Sequence, residues 1–283
     1  MSAAQAVRRL AIASAMLAGG CASDGSIGGV SGPGGDGGSV AADGAGAATR
    51  EIAPGLVVVS SAPASGTLAL GDLLLPAGAR STWTVLSARG EEFGTGDTIE
   101  FVASSSSKHG AEYEVAEGPD QTLYLVGVDE QRPAMVASLS KRDEAVSRFE
   151  PALAMGVPQL GAGESVEGTS EMVVLSSKAL MKQRDKGTAA RRLAYTRDET
   201  IRTASGERAC RRVEVDFKAE LGMAKATVHS VRWVEPGVGP IAEERREKIV
   251  VLGLVPTERR RVIVRALPGG SGGADGRAGG SLP

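Results

Sequence analysis

The chain has 283 residues, is 42% hydrophobic but only 3% aromatic, and carries a formal net charge of −2. This mildly acidic balance excludes the strongly basic character that drives binding to DNA or RNA, so we expect no nucleic-acid partner. Two cysteines exclude a disulfide-rich framework, and two histidines leave few donors for a metal or acid–base site. We therefore expect neither a metal nor another cofactor.

Residues 1–20 have the pattern of a signal peptide. Arg8 and Arg9 form a positive segment, and residues 10–20 form an uncharged, mostly apolar run. This run is shorter than the roughly 20 apolar residues that a transmembrane helix needs. Its length and its positive flank are those of a secretory signal. The chain is therefore predicted to be exported.

The sequence Leu17-Ala18-Gly19-Gly20-Cys21 ends the apolar run with small residues before a cysteine. It resembles the lipobox of bacterial lipoproteins. The resemblance implies cleavage between Gly20 and Cys21, a thioether-linked diacylglycerol on Cys21 and acylation of its new amino group. Two or more acyl chains anchor a protein stably in a bilayer.

The expected location is the periplasmic face of the outer membrane, which the absence of Asp at position 22 favours in lipoproteins; the inner membrane is an alternative. Cleavage at the small-x-small site formed by Ala18 and Gly20 is a further alternative. That cleavage would leave a free thiol at Cys21 on a soluble periplasmic protein.

Residues 21–50 and 268–283 are predicted to be disordered. Both segments are rich in Gly, and neither contains an aromatic residue. Such segments bury too little apolar surface to offset the entropy of ordering them. The first would form a flexible tether with a root-mean-square reach of about 30 Å, and the second a C-terminal tail.

Residues 51–267 are predicted to form one β-rich periplasmic domain. Short runs of strand-forming residues alternate with turn residues, at Leu56–Ser60, Thr67–Leu75, Thr82–Ala88, Thr98–Ala103, Ala111–Ala116, Thr122–Val126, Ala134–Leu139, Ser170–Ser176, Ala190–Thr196, Glu199–Thr203, Cys210–Leu221, Lys225–Glu235, Ile241–Leu252 and Arg259–Ala266. Strict alternation of apolar and charged residues over 212–221 predicts a strand with one buried face, which favours antiparallel sheet. Lys141–Phe149 and Ser177–Asp185 could each form a short helix or a turn. We expect a curved single antiparallel sheet or half-barrel with few short helices.

The segment Trp233–Ile241 predicts a tight turn between two strands. Pro236 and Gly237 suit the central positions of a type II turn, because Gly accepts positive φ. The pattern of Trp233, Pro236, Gly237 and Gly239 resembles that of bacterial periplasmic and lipoprotein domains of the broad LolA/LppX-like class. The resemblance implies a β-hairpin that closes a curved antiparallel sheet, and gives these residues a structural role.

No catalytic motif stands out in the sequence. The only G-x-S-x-G pattern, at residues 269–273, lies in the Gly-rich tail and not in the strand–turn–helix of a nucleophile elbow, and a Walker A loop is missing. His229 lies in an alternating strand pattern and is expected to be structural, and Cys210 is expected to be an unreactive thiol on a strand. We therefore expect a protein that is not an enzyme.

Three functions follow in decreasing order of expectation. The first is a lipid-anchored, non-enzymatic envelope lipoprotein that binds or scaffolds an unknown envelope protein. The second is a carrier that holds a lipid or other apolar ligand on the concave face of its sheet. The third is a hydrolase that uses Cys210 or His229, which requires the two residues to meet in a cleft with a carboxylate.

Overall fold

The computed structural model describes residues 49–91, 93–179, 182–254 and 256–267. Regular structure in these ranges consists of strands and two 3-10 turns, without an α-helix. The strands are β1 (Arg50–Ala53), β2 (Leu56–Pro63), β3 (Thr67–Ala69), β4 (Arg80–Arg89), β5 (Thr98–Ser105), β6 (Tyr113–Glu117), β7 (Gln121–Val126), β8 (Ala134–Ser140), β9 (Ala145–Ala154), β10 (Gln159–Gly161), β11 (Ser165–Ser176), β12 (Gln183–Thr203), β13 (Gly206–Leu221), β14 (Ala224–Glu235), β15 (Gly239–Val251) and β16 (Thr257–Arg265). The 3-10 turns are Leu70–Asp72 and Lys108–Gly110.

Twelve of these strands form a closed up-and-down barrel. From β4 to β16, leaving out the short β10, each strand pairs antiparallel with the next one along the chain. The last strand then pairs antiparallel with the first, with Ile263 opposite Val85. The predicted antiparallel β class is confirmed. The predicted curved single sheet or half-barrel is wrong, because β4 and β16 satisfy each other's backbone groups instead of remaining edges.

Two local predictions differ from the structure. Residues 141–144 form a turn, but β9 begins at Ala145, so the helical alternative for Lys141–Phe149 is wrong. The two strands predicted within 190–203 are one long strand, β12, whose register shifts between Tyr195 and Arg197. A bulge of this kind interrupts the apolar alternation without ending the strand.

The barrel interior is packed with apolar side chains. Along β13, alternate residues from Val213 to Leu221 are buried in the main core, as the alternation in the sequence predicts. Aromatic residues from other strands fill the same core, among them Trp83 and Phe101, whose ring centroids lie 5.7 Å apart. Burial of this kind is the main favourable term in folding.

One end of the barrel is covered by the segment between β2 and β4. Only Thr67–Ala69 of the predicted strand Thr67–Leu75 is extended, and it pairs with β10, with Leu68 opposite Leu160. Leu68 and the following leucines up to Leu75 are buried in the main core. This segment therefore forms a plug, and its Asp72 carboxylate accepts a hydrogen bond from the Gly237 N–H at 2.8 Å.

The hairpin of β1 and β2 covers part of the outer face of the barrel. Strand β2 pairs with residues 197–202 of β12, beyond the point where β11 ends. Leu56 and Val58 pack with Trp233, Val231 and Val262 in a second apolar cluster. The sheet is therefore covered on both of its faces in this region. This cover explains why Trp233 is fully buried although it points out of the barrel.

The predicted signal peptide, Gly20, Cys21 and the tail 268–283 lie outside the described residues. The same holds for the predicted tether up to residue 48, whereas Arg50 already belongs to β1. Within the ranges that the structure describes, no helix has the length and apolar character needed to cross a membrane.

A cavity introduced at the seam between β4 and β16 should destabilise the barrel. Ile263 is fully buried, so Ile263→Ala should lower the free energy of unfolding by about 2–5 kcal/mol. Urea unfolding followed by circular dichroism measures this change. Val250→Ala on the partly exposed face of β15 is the control, with an expected loss below about 1 kcal/mol. Equal losses in the two variants would show that the seam is not part of the cooperative core.

Candidate functional site

A row of polar side chains crosses the outer face of five adjacent strands. Asp216 on β13 is opposite His229 on β14, and His229 is opposite Arg246 on β15. The row continues to Arg260 on β16 and to Arg89 on β4. The strand neighbours of these residues point into the barrel, so the row itself points outward.

The row places three arginines next to one another on β15, β16 and β4. Directly opposite residues in antiparallel strands have Cβ atoms about 4.5–5.5 Å apart, and like charges at such positions are destabilising. The buried Glu244 carboxylate offsets part of this repulsion. Its Oε1 accepts hydrogen bonds from Arg246 Nη2 at 2.8 Å and Arg260 Nε at 2.9 Å.

The environment of Glu244 keeps its carboxylate ionised. Burial alone would raise its pKa, but the hydrogen bonds and positive charges of Arg246 and Arg260 outweigh burial and lower the pKa below its usual value. Arg89, the third arginine of the row, has no carboxylate partner within the described residues. The row therefore keeps positive charge available at its β4 end.

These side chains line an outer groove with a volume of about 650 Å³. This volume lies within the range of small-molecule sites in proteins. The groove is bordered by six Lys or Arg residues and three acidic residues, together with His229 and apolar or hydroxyl side chains. The charged ones are Arg89, Lys218, Arg246, Lys248, Arg259, Arg260, Asp216, Glu247 and Glu258. The groove is thus a positive surface on a protein whose net charge is negative.

His229 lies in the groove rather than in the core. Its Nδ1 is 2.8 Å from Asp216 Oδ1, and 43% of its side chain is exposed. The strand pattern around His229 predicted a structural imidazole. The hydrogen bond fixes the orientation of the ring, and the exposed edge faces the space above the arginine row.

Cys210 does not join His229. It lies on β13 six residues before Asp216, which puts it about 20 Å along the strand from the His229 pair. Cys210 is 4% exposed, and burial followed by the charge of Glu235 raises the pKa of its thiol. The convergence that a hydrolase based on these two residues requires is therefore not formed.

The turn residues singled out in the sequence lie at the end of the barrel that carries the plug. The Val238 N–H donates to the Glu235 carbonyl oxygen at 3.1 Å, with Pro236 and Gly237 between them. Gly237 has φ of 74° and Gly239 has φ of 101°, values that favour glycine. Because Gly237 also bonds to Asp72, this turn holds the plug in place and does not line the groove.

Two cavities among the described inward-facing side chains offer little room for an apolar ligand. One, beside Met135 and Arg191, has a volume of about 20 Å³, and the other, beside Glu117 and Asp143, about 40 Å³. Neither can accommodate a lipid chain, because drug-sized ligands occupy several hundred Å³.

The arginine row cannot be recognised in the sequence. Each strand pattern shows polar residues on one face, but the row exists only because Arg89, Arg246 and Arg260 come into register. The run Arg259-Arg260-Arg261 is visible in the sequence, yet its middle residue alone points outward into the row.

Comparison with known proteins provides no relative that would assign the groove. No protein-family model, no curated protein and no solved structure matches the chain.

The burial of Cys210 predicts a protected thiol. With its pKa raised by burial, Cys210 should react with Ellman's reagent at pH 8 at least about tenfold more slowly in the native protein than in urea, since each unit of pKa lowers the thiolate fraction tenfold. In a Cys210→Ser variant, any remaining reaction with the reagent comes from Cys21 and can be subtracted. Rapid reaction of Cys210 in the native protein would contradict the buried position.

Proposed function

We propose that the protein is a non-enzymatic, lipid-anchored envelope lipoprotein that binds a phosphate-type anion in the outer groove. The observation that carries this proposal is the row of three directly opposed arginines. Like charges at these positions cost stability, and Glu244 pairs with only two of the three. A ligand that supplies negative charge would relieve the remaining repulsion.

The side chains of the groove suit a phosphate group. A guanidinium group presents a planar set of N–H donors that matches the oxygens of a phosphate. Arg246 is accessible for this purpose, since 64% of its side chain is exposed. Lys218 and Lys248 border the same groove and add point charges that strengthen attraction without fixing geometry.

The position of the N-terminal hairpin supports a ligand at the membrane. Arg260 Nη2 donates to the Ile52 carbonyl oxygen at 3.1 Å, so the chain enters the barrel beside the arginine row. If Cys21 carries acyl chains, the predicted tether places this entry point at a root-mean-square distance of about 30 Å from the bilayer. Phosphate-bearing lipid headgroups are then the nearest source of the anion, and soluble phosphate esters are the other source.

The groove proposal is tested with charge reversal. The double variant Arg89→Glu/Lys218→Glu changes two groove cations for which the described chain provides no ion-pair partner. Binding to vesicles of phosphatidylglycerol should weaken at least about tenfold, because each basic residue near an anionic surface contributes about 1 kcal/mol. Sedimentation of the Cys21→Ala protein, which cannot be acylated, measures binding through the groove alone.

The matched control is Lys186→Glu/Arg197→Glu. These exposed residues of β12 lie outside the groove, and the variant changes the net charge equally. Competition by free glycerol phosphate would identify a soluble phosphate ester as the ligand, whereas binding to anionic vesicles alone would identify a headgroup. Equal weakening in the two double variants, or no binding of either probe, would reject the groove.

The anchor is tested separately. Globomycin, which blocks the lipoprotein signal peptidase, should cause the precursor to accumulate, and radiolabelled palmitate should label the wild-type protein but not Cys21→Ala. The physical basis is that acyl chains on Cys21 provide the membrane attachment. A mass spectrum that shows an unmodified residue 21 in envelope protein would contradict it.

A further inference from the structure

The barrel interior contains a cluster of charged residues, of which only Glu247 and Arg259 also border the outer groove. Eight charged side chains from β6, β12, β14, β15 and β16 point inward, and five of them are arginines. They are Glu117, Arg191, Arg232, Glu243, Arg245, Glu247, Arg259 and Arg261. All but Arg259 are at most 5% exposed. Within this cluster, cations outnumber carboxylates by two.

Seven members of the cluster form ion pairs with one another. Glu117 Oε1 is 3.8 Å from Arg245 Nη1 and also contacts Arg261, so one carboxylate serves two arginines. The other pairs are Arg232–Glu243 at 3.0 Å, Arg245–Glu247 at 3.1 Å and Arg259–Glu247 at 3.8 Å. Pairing of this kind is what makes burial of charge tolerable.

Arg191 is the member without a carboxylate partner in the described chain. Its Nη1 donates to the carbonyl oxygens of Met155 at 2.8 Å and Ala154 at 3.4 Å. Its Nε and Nη2 are buried and have no hydrogen-bond partner among the described residues. Burial, followed by the charge of Arg232, lowers the pKa of Arg191 to about 9, so its guanidinium stays ionised at neutral pH.

A cavity of about 20 Å³ lies beside Arg191. Ser230 lines it, and its Oγ is buried with no partner among the described residues. Arg232, Glu243 and Arg245 also line it, and the charge of Glu243 is offset by its ion pair with Arg232. A cavity of this size holds about one particle as large as a water molecule.

We propose that this cavity binds a single monatomic anion, chloride in the envelope, held by the Arg191 guanidinium and the Ser230 hydroxyl. The anion would provide the negatively charged partner that Arg191 lacks. It would also accept hydrogen bonds from donors that otherwise remain unsatisfied. The volume of about 20 Å³ is too small for phosphate and other polyatomic anions. It is therefore separate from the outer groove in position and in ligand size.

Anion-dependent stability tests the site. Chloride should raise the thermal midpoint of the wild-type protein saturably over gluconate at constant ionic strength, because a ligand of the native state stabilises it by mass action. Arg191→Met should abolish this difference. The control is Arg192→Met, which removes an exposed arginine of the same strand and should retain the full chloride effect.

Crystals grown in bromide provide a second, direct test that does not depend on the folding of any variant. An anomalous peak between Arg191 and Ser230 would establish the anion. Density for water alone at that point, without an anomalous signal, would overturn the proposal. The proposal would also be overturned if chloride stabilised Arg191→Met as much as the wild-type protein.

Discussion

The pairing of β16 with β4 is the constraint on which the rest of the structure depends. The other strand pairings in the barrel join strands that follow one another along the chain, apart from the short β10, and they would also form in an open sheet. Once Ile263 and Val85 face each other across the seam, the inner face lines a closed volume that is shielded from bulk water. Every side chain that points inward must then pack against, or bond to, another part of the protein.

Closure explains the difference between the two sets of charged residues. Inside the barrel, the dielectric is low and an unpaired charge is costly, so carboxylates such as Glu117 are shared between arginines. On the outer face, water and salt screen the repulsion between Arg246 and Arg89. Seven of the eight inner charges are therefore held in ion pairs, whereas the outer row keeps charge that a ligand could neutralise.

The N-terminal hairpin decides which part of the outer face remains accessible. Around Trp233 the hairpin buries the outer face, and the Trp233 Nε1–H donates to Glu199 Oε2 at 2.7 Å. Cys210 is enclosed in the same apolar cluster and is thereby separated from solvent. His229, a few residues away on β14, lies beyond this cover and remains part of the groove. Cys210 and His229, both of which the sequence places on strands, thus have different environments.

The sequence by itself determined the β class, because period-two alternation of the kind seen over 212–221 fits only a strand with one buried face. It also determined that Pro236 and Gly237 favour a turn, since their backbone preferences are local. Closure of the barrel, the arginine row and the partnerless Arg191 were decided by tertiary structure alone. Each depends on register between strands far apart in sequence, and a strand pattern specifies which face is buried but not which strand it meets.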